Sequence, residues 1–99
     1  MKLISYTTKP GNAAENRKKI EAVFATLHDA RPDGFAYMVV ETAAGEFFHI
    51  VESTPAALEA FQALPAFRDF SSTVEDRQAE PSTSRDASVV GSYGVLAGK

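Results

Sequence analysis

Cysteine and tryptophan are both absent from the 99 residues of this chain. Without cysteine there are no disulfide staples, no thiolate nucleophile and no Cys-based zinc or iron–sulfur centre. Long apolar runs are missing as well, and no stretch approaches the ~20 residues that a membrane-crossing helix needs. The opening "MKLISYTTKPG" lacks the apolar segment and cleavage site of a secretion signal, so a cytoplasmic location is the default expectation. Net charge is −3 with acids and bases interspersed. That leaves no basic face for nucleic acid and nothing to hold an anionic membrane. No HxH, HExxH, acidic triplet, P-loop or GxGxxG pattern occurs, so neither a metal nor a nucleotide is expected.

What remains is 44% hydrophobic and 23% charged, the composition of one globular domain spanning residues 1–99. "KLISYTT" has strand composition and breaks at Lys9-Pro10-Gly11. Asn12 with Glu15 has capping-box spacing, and Ile20, Val23, Phe24 and Leu27 form one apolar stripe of a first helix ending near "DARPDG". "GFAYMVVET" and "EFFHIVES" read as a hairpin closed by "AAG" with Gly45 left-handed, which sets Val39 opposite His49 and Met38 opposite Ile50. Thr54-Pro55 opens a second helix that buries Ala57, Leu58, Phe61 and Leu64. After Pro65 a third helix carries Phe67, Phe70 and Val74 on one face, while Arg68 and Asp69 face solvent. "QAEPSTSRDA" reads as a surface loop and "SVVGSYGVL" as the last strand. The order is β-α-β-β-α-β, an α+β ferredoxin-like arrangement with a four-stranded antiparallel sheet.

Both faces of that sheet are apolar. Ala36, Met38, Val40, Phe48 and Ile50 make a wholly apolar face, assigned here to the helices. Phe35, Tyr37, Val39, Phe47, His49 and Val51 make the other, with Tyr6 and Tyr93 adding to it. Helices from one chain cover one face only, so the second implies a homodimer or a ligand.

The "KPG" after the first strand and the capped amphipathic helix, the strand pair ending in "VES", the segment "LEAFQALPAFRDF" and the closing "AEPSTSRDASVVGSY" together resemble the antibiotic biosynthesis monooxygenase superfamily. The resemblance covers nearly the whole chain. It implies a dimeric α+β barrel with a pocket in each subunit, and an activity on aromatic, polyketide or quinol molecules without a cofactor. The Asn–Trp–His set of the haem-degrading members is not matched, since tryptophan is absent and Asn12 and His49 fall elsewhere.

His49 is the candidate catalytic residue, because an imidazole suits proton transfer near neutrality; the alternative is a histidine packed at a dimer seam. Tyr37, Phe47, Phe67, Tyr6 and Tyr93 are candidates to line a pocket for an apolar or aromatic ligand, with Arg68 placed to clamp a carboxylate. His28 reads as a helix-end residue answering the dipole. Two functions are open at this point, an oxygenase-like enzyme and a non-catalytic dimer that binds a small apolar ligand.

Overall fold

The computed structural model describes residues 1–94. Its elements are β1 (Lys2–Thr7), α1 (Ala13–Ala30), β2 (Phe35–Glu41), β3 (Glu46–Ser53), α2 (Pro55–Gln62), α3 (Pro65–Arg77) and β4 (Thr83–Asp86). All three strand pairings are antiparallel, in the order β2-β3-β1-β4.

The β2–β3 hairpin has the expected register, Val39 opposite His49 and Met38 opposite Ile50. Gly45 closes it at φ 81°, and its carbonyl accepts from the Thr8 amide at 2.9 Å. Only a residue without Cβ takes that conformation at little cost. The faces, however, are the reverse of the assignment made from apolarity. The helices cover the side bearing Phe47, His49, Tyr6 and Tyr37; Met38 and Val40 on the opposite side are 41% and 45% exposed. The polar tips of Tyr6, Tyr37 and His49 made their face look the wetter one. Those tips find partners under the helices, whereas side chains such as Met38 need none.

α1 presents Ile20 and Val23 to the sheet, with Phe24 and Leu27 half-buried beside them. The capping box does not form. Asn12 has helical backbone angles (φ −102°, ψ −6°) and its side chain makes no cap bond, because its amide is already bent back onto the Lys9 carbonyl at 3.0 Å. At α2 the expected cap is present: Thr54 Oγ1 accepts from the Ala57 amide at 3.1 Å, and Pro55 opens the helix. Ala57 and Phe61 are buried, but Leu58 faces outward. Phe61 lies between Phe35, on which it stacks, and Phe67, which is tilted against it, with ring centroids 4.6 and 4.5 Å away. Burying each such ring stabilises the fold by about 1.5–3 kcal/mol.

The fourth strand also differs from expectation. It is Thr83–Asp86, inside the segment read as a loop, and it pairs on β1 with Lys2 opposite Asp86 and Ser5 opposite Thr83. All four of its residues are exposed, so no alternation of apolar side chains marks it. It forms because the β1 edge offers free backbone groups, and Lys2 Nζ adds an ion pair to Asp86 at 2.8 Å. Of "SVVGSYGVL", residues 88–94 form neither helix nor strand, and residues 95–96 lie outside the described residues.

Replacing Thr54 by Ala removes the α2 cap and should lower stability by about 1 kcal/mol, read from denaturant midpoints at unchanged slope. An unchanged midpoint would mean the cap bond contributes nothing in solution.

Candidate functional site

A string of side-chain hydrogen bonds runs through the centre of the domain. Tyr37 Oη lies 2.6 Å from His49 Nδ1, and His49 Nε2 lies 2.9 Å from Tyr6 Oη. Asn16 Nδ2 donates to the same Tyr6 oxygen at 2.9 Å. Arg77 Nε in turn donates to Asn16 Oδ1 at 2.9 Å. The five residues come from β2, β3, β1, α1 and α3, so the string ties the sheet to both long helices.

The local sequence explains each placement. Tyr6, Phe47 and His49 share the inner face because β1 and β3 pair Tyr6 with Phe47 and Ile4 with His49. Asn16 sits four residues before Ile20 and seven before Val23, in line with the apolar stripe of α1, and is fully buried at 0% exposure. Arg77 lies three residues after Val74 and seven after Phe70 on the inner stripe of α3, and is 2% exposed. Neither was singled out from sequence. The signal was there, since both fall on the buried period of their helices, but polar residues at those positions break the apolar pattern instead of extending it.

Arg77 is a buried cation with no carboxylate in ion-pair contact among the described residues. Its guanidinium is satisfied instead by neutral acceptors. Besides Asn16, it donates from Nη1 to Thr73 Oγ1 at 2.6 Å and from Nη2 to the Phe70 carbonyl at 3.2 Å, and it lies 5.4 Å from the centre of the Phe70 ring. Burying a charge this way is costly unless every donor is placed, and the placement fixes where the acceptors must be.

Burial governs the acidities along the string. It pushes the His49 imidazole down to about 4, so the ring is neutral across the physiological range. Burial, followed by the neighbouring Tyr6, raises the Tyr37 phenol. Tyr6 is raised by burial too, against the opposing pull of the Asn16 hydrogen bond and the Arg77 charge.

A cleft of about 940 Å³ lies beside this string, between α1 and the β2 edge. Phe24 and His28 from the helix, Tyr37 and Val39 from β2, and Phe47 line it; it also reaches Met38 and Ile50 on the outer face. At one end Arg17 and Glu41 bridge helix to strand with two bonds of 2.7 and 2.8 Å. Tyr37 is stacked on Phe24 with centroids 4.9 Å apart, which holds the phenol against the cleft wall.

Of the residues proposed from sequence, the structure therefore brings Tyr37, His49 and Tyr6 together, with Phe47 packed on Tyr6. Phe67 belongs to the aromatic core beside Phe61 and Phe70. Arg68 is exposed on α3 with its Nε 3.5 Å from the Gln62 carbonyl, and Tyr93 is fully exposed in the 88–94 segment. His28 is exposed at the end of α1 and lines the cleft rim. Among the described residues no three His, Asp or Glu side chains come together to hold a metal ion, and no helix is long and apolar enough to cross a membrane.

In fold, this ferredoxin-like sheet with its helices is similar to solved structures, several of them named as antibiotic biosynthesis monooxygenases. An inferred antibiotic biosynthesis monooxygenase from Bacteroides thetaiotaomicron superposes with a TM-score of 0.76 at 15% identity, covering 97% of this chain and 93% of that one. Rv0793 from Mycobacterium tuberculosis gives 0.73 at 16% identity, covering 94% and 96%. An inferred antibiotic biosynthesis monooxygenase from Nitrosomonas europaea gives 0.72 at 14%, covering 94% and 91%. At these identities the likeness is one of fold. No protein-family model matches the sequence, and no curated protein matches it.

The lowered His49 pKa makes stability depend on pH. Unfolded, the imidazole takes a proton below its ordinary 6.5; folded, it resists until about 4. The unfolded state therefore binds more protons in between, and stability falls as pH drops through that window, by on the order of 3 kcal/mol if complete. His49→Gln should flatten the upper part of the decline, between about 6.5 and 5, where carboxylates contribute little. Equal slopes for the two proteins in denaturant titrations would show that the histidine is already solvated.

Proposed function

We propose that this chain is a homodimeric, cofactor-independent oxygenase acting on an apolar aromatic, polyketide-type or quinol molecule bound in the cleft beside Tyr37. The observation that carries the reading is a neutral His49 joined on both ring nitrogens to tyrosines, one of which lines a cleft that is mostly apolar but also bears Arg17, Glu21, His28, Glu41 and Glu52. The named structural neighbours make the reading specific to oxygenation.

A substrate with an acidic methylene beside a ketone shows what such a site must supply. Its C–H proton passes to water at the open side of the cleft, leaving an enolate whose oxygen rests against Tyr37, backed by His49. The enolate carbon gives its electron pair to dioxygen, forming a C–O bond and a peroxide that takes a proton from water. Loss of the second C–H proton together with hydroxide yields a carbonyl and one water. Methylene plus dioxygen thus becomes ketone plus water, with substrate carbon losing the four electrons that oxygen gains. Phe24, Val39 and Phe47 wall the reacting carbon, so that water reaches it only from the open side.

A second copy completes the picture. Met38 and Val40 on the outer face and Val89, Val90 and Tyr93 in the final segment are all exposed. Exposed apolar side chains such as Met38 and Val40 on the β2 edge gain from burial against a partner. The cleft reaches the outer face at Met38 and Ile50, so a partner sheet packed there would add a wall to it on that face.

The competing reading, a non-catalytic binding dimer, is favoured by one observation: no buried side-chain nitrogen or oxygen among the described residues lacks a hydrogen-bond partner. A string so fully satisfied is also what a purely structural core requires.

Oxygen uptake with anthrone or a naphthoquinol separates the two. Enzyme should consume one dioxygen per anthrone above the spontaneous rate, and Tyr37→Phe should lower kcat/KM by about tenfold to a hundredfold with the fold intact. Ligand-induced thermal stabilisation without any turnover identifies the binding dimer instead. Assembly is tested independently: the wild type should sediment as a dimer and Val40→Glu as a folded monomer. A compact monomer at every wild-type concentration removes the dimer from the reading.

A further inference from the structure

The hydrogen-bond string has a direction as well as a path. Arg77 carries donors only, so the Asn16 atom 2.9 Å from its Nε is the amide oxygen. The amide nitrogen therefore faces Tyr6, and the Tyr6 oxygen accepts from it. The hydrogen of Tyr6 then has one acceptor within reach among the described residues, His49 Nε2 at 2.9 Å. Leaving a buried hydroxyl hydrogen without an acceptor is costly, so Nε2 takes it. A neutral imidazole that accepts at Nε2 carries its hydrogen on Nδ1, and that hydrogen is donated to Tyr37 Oη at 2.6 Å. Tyr37 is thereby an acceptor toward the protein. Its own hydrogen meets no acceptor among the described residues, and the residue lines the cleft.

We propose that Arg77 and Asn16 polarise this string so that the cleft presents the Tyr37 O–H as a donor, and that the ligand is an apolar ring system bearing an oxygen acceptor, a ketone or the enolate or phenolate derived from one. The inference rests on the cleft being the small-molecule site. It narrows the substrate class at that site, because a neutral quinol that had to donate its hydroxyl to Tyr37 would meet a hydrogen. Arg77 and Asn16 line no part of the cleft. They are positioning residues that act through Tyr6 and His49.

Asn16→Asp is the discriminating variant. A carboxylate keeps the pair with Arg77 but can only accept, so Tyr6 must turn its hydrogen toward residue 16. His49 then donates from Nε2 to Tyr6 and accepts the Tyr37 hydrogen at Nδ1, and the cleft is left facing an oxygen with no free hydrogen. Imidazole nitrogen NMR near neutral pH reads this directly, with exposed His28 assigned from a His28→Gln sample. Wild type should show His49 protonated at Nδ1, the opposite of the tautomer that a free histidine side chain favours, and Asn16→Asp should show it at Nε2.

Ligand preference should follow. Wild type should bind α-tetralone more tightly than tetralin by about fivefold or more, a preference lost both in Tyr37→Phe and in Asn16→Asp despite its intact Tyr37. An Nε2–H tautomer in the wild type overturns the proposal. So does an unchanged tautomer in folded Asn16→Asp, or a wild type indifferent to the ketone. If Asn16→Asp does not fold, the wild-type tautomer and Tyr37→Phe still decide. Absent oxygen turnover with the expected tautomer sinks only the oxygenase reading. Turnover with the other tautomer sinks only this one.

Discussion

A guanidinium buried without a carboxylate sets the terms for the rest of this molecule. Arg77 can be tolerated in the interior only if neutral acceptors surround it, and Asn16, Thr73 and the Phe70 carbonyl do so. Once the Asn16 oxygen is committed to Arg77, its nitrogen must find an acceptor, and Tyr6 is the one in reach. Tyr6 then needs His49, and His49 needs Tyr37. Each bond is forced by the one before it. The outcome is a core in which side chains from three strands and two helices are mutually oriented, a kind of specification that apolar packing alone achieves less sharply.

This constraint accounts for the unusual division of the sheet. The inner face carries two tyrosines and a histidine, yet it is the buried one, because the helices bring polar partners as well as apolar cover. Around the string the aromatic rings of Phe47, Phe61, Phe70 and Phe24 exclude water, and the same exclusion keeps His49 neutral. A neutral imidazole can donate on one side and accept on the other. The string therefore reaches the cleft wall at Tyr37 with its polarity preserved, which links the packing of the core to what the cleft can recognise.

Much of this architecture was legible from the chain. The order of elements, the Thr54 cap, the Gly45 turn and the hairpin register all follow from local chemistry within a few residues, and the structure has them as read. His49, Tyr37 and Tyr6, singled out from the chain, meet in one hydrogen-bonded string. The resemblance to the antibiotic biosynthesis monooxygenase superfamily agrees with the fold. Besides the choice of which sheet face the helices cover, three things were not legible. The capping box at Asn12 failed because a neighbouring turn had already set its backbone. The β4 strand carries no pattern, being exposed on every side chain and held by the edge of β1. Asn16 and Arg77 lie at buried helical positions but are polar, and polarity at such a position has meaning only once the partner is known.

By itself, then, the sequence determined what alternates with what: which residues share a strand face, which share a helix stripe, and where the elements before β4 start and stop. Those are properties of neighbours along the chain, set by periodicity and by caps and turns. Only the tertiary structure decided which face turned inward, which edge received the last strand, and which atoms of Arg77, Asn16, Tyr6, His49 and Tyr37 meet. The partners in that string stand up to 61 positions apart in the chain. A buried polar group is acceptable or ruinous according to what faces it across the core, and no local pattern carries that information.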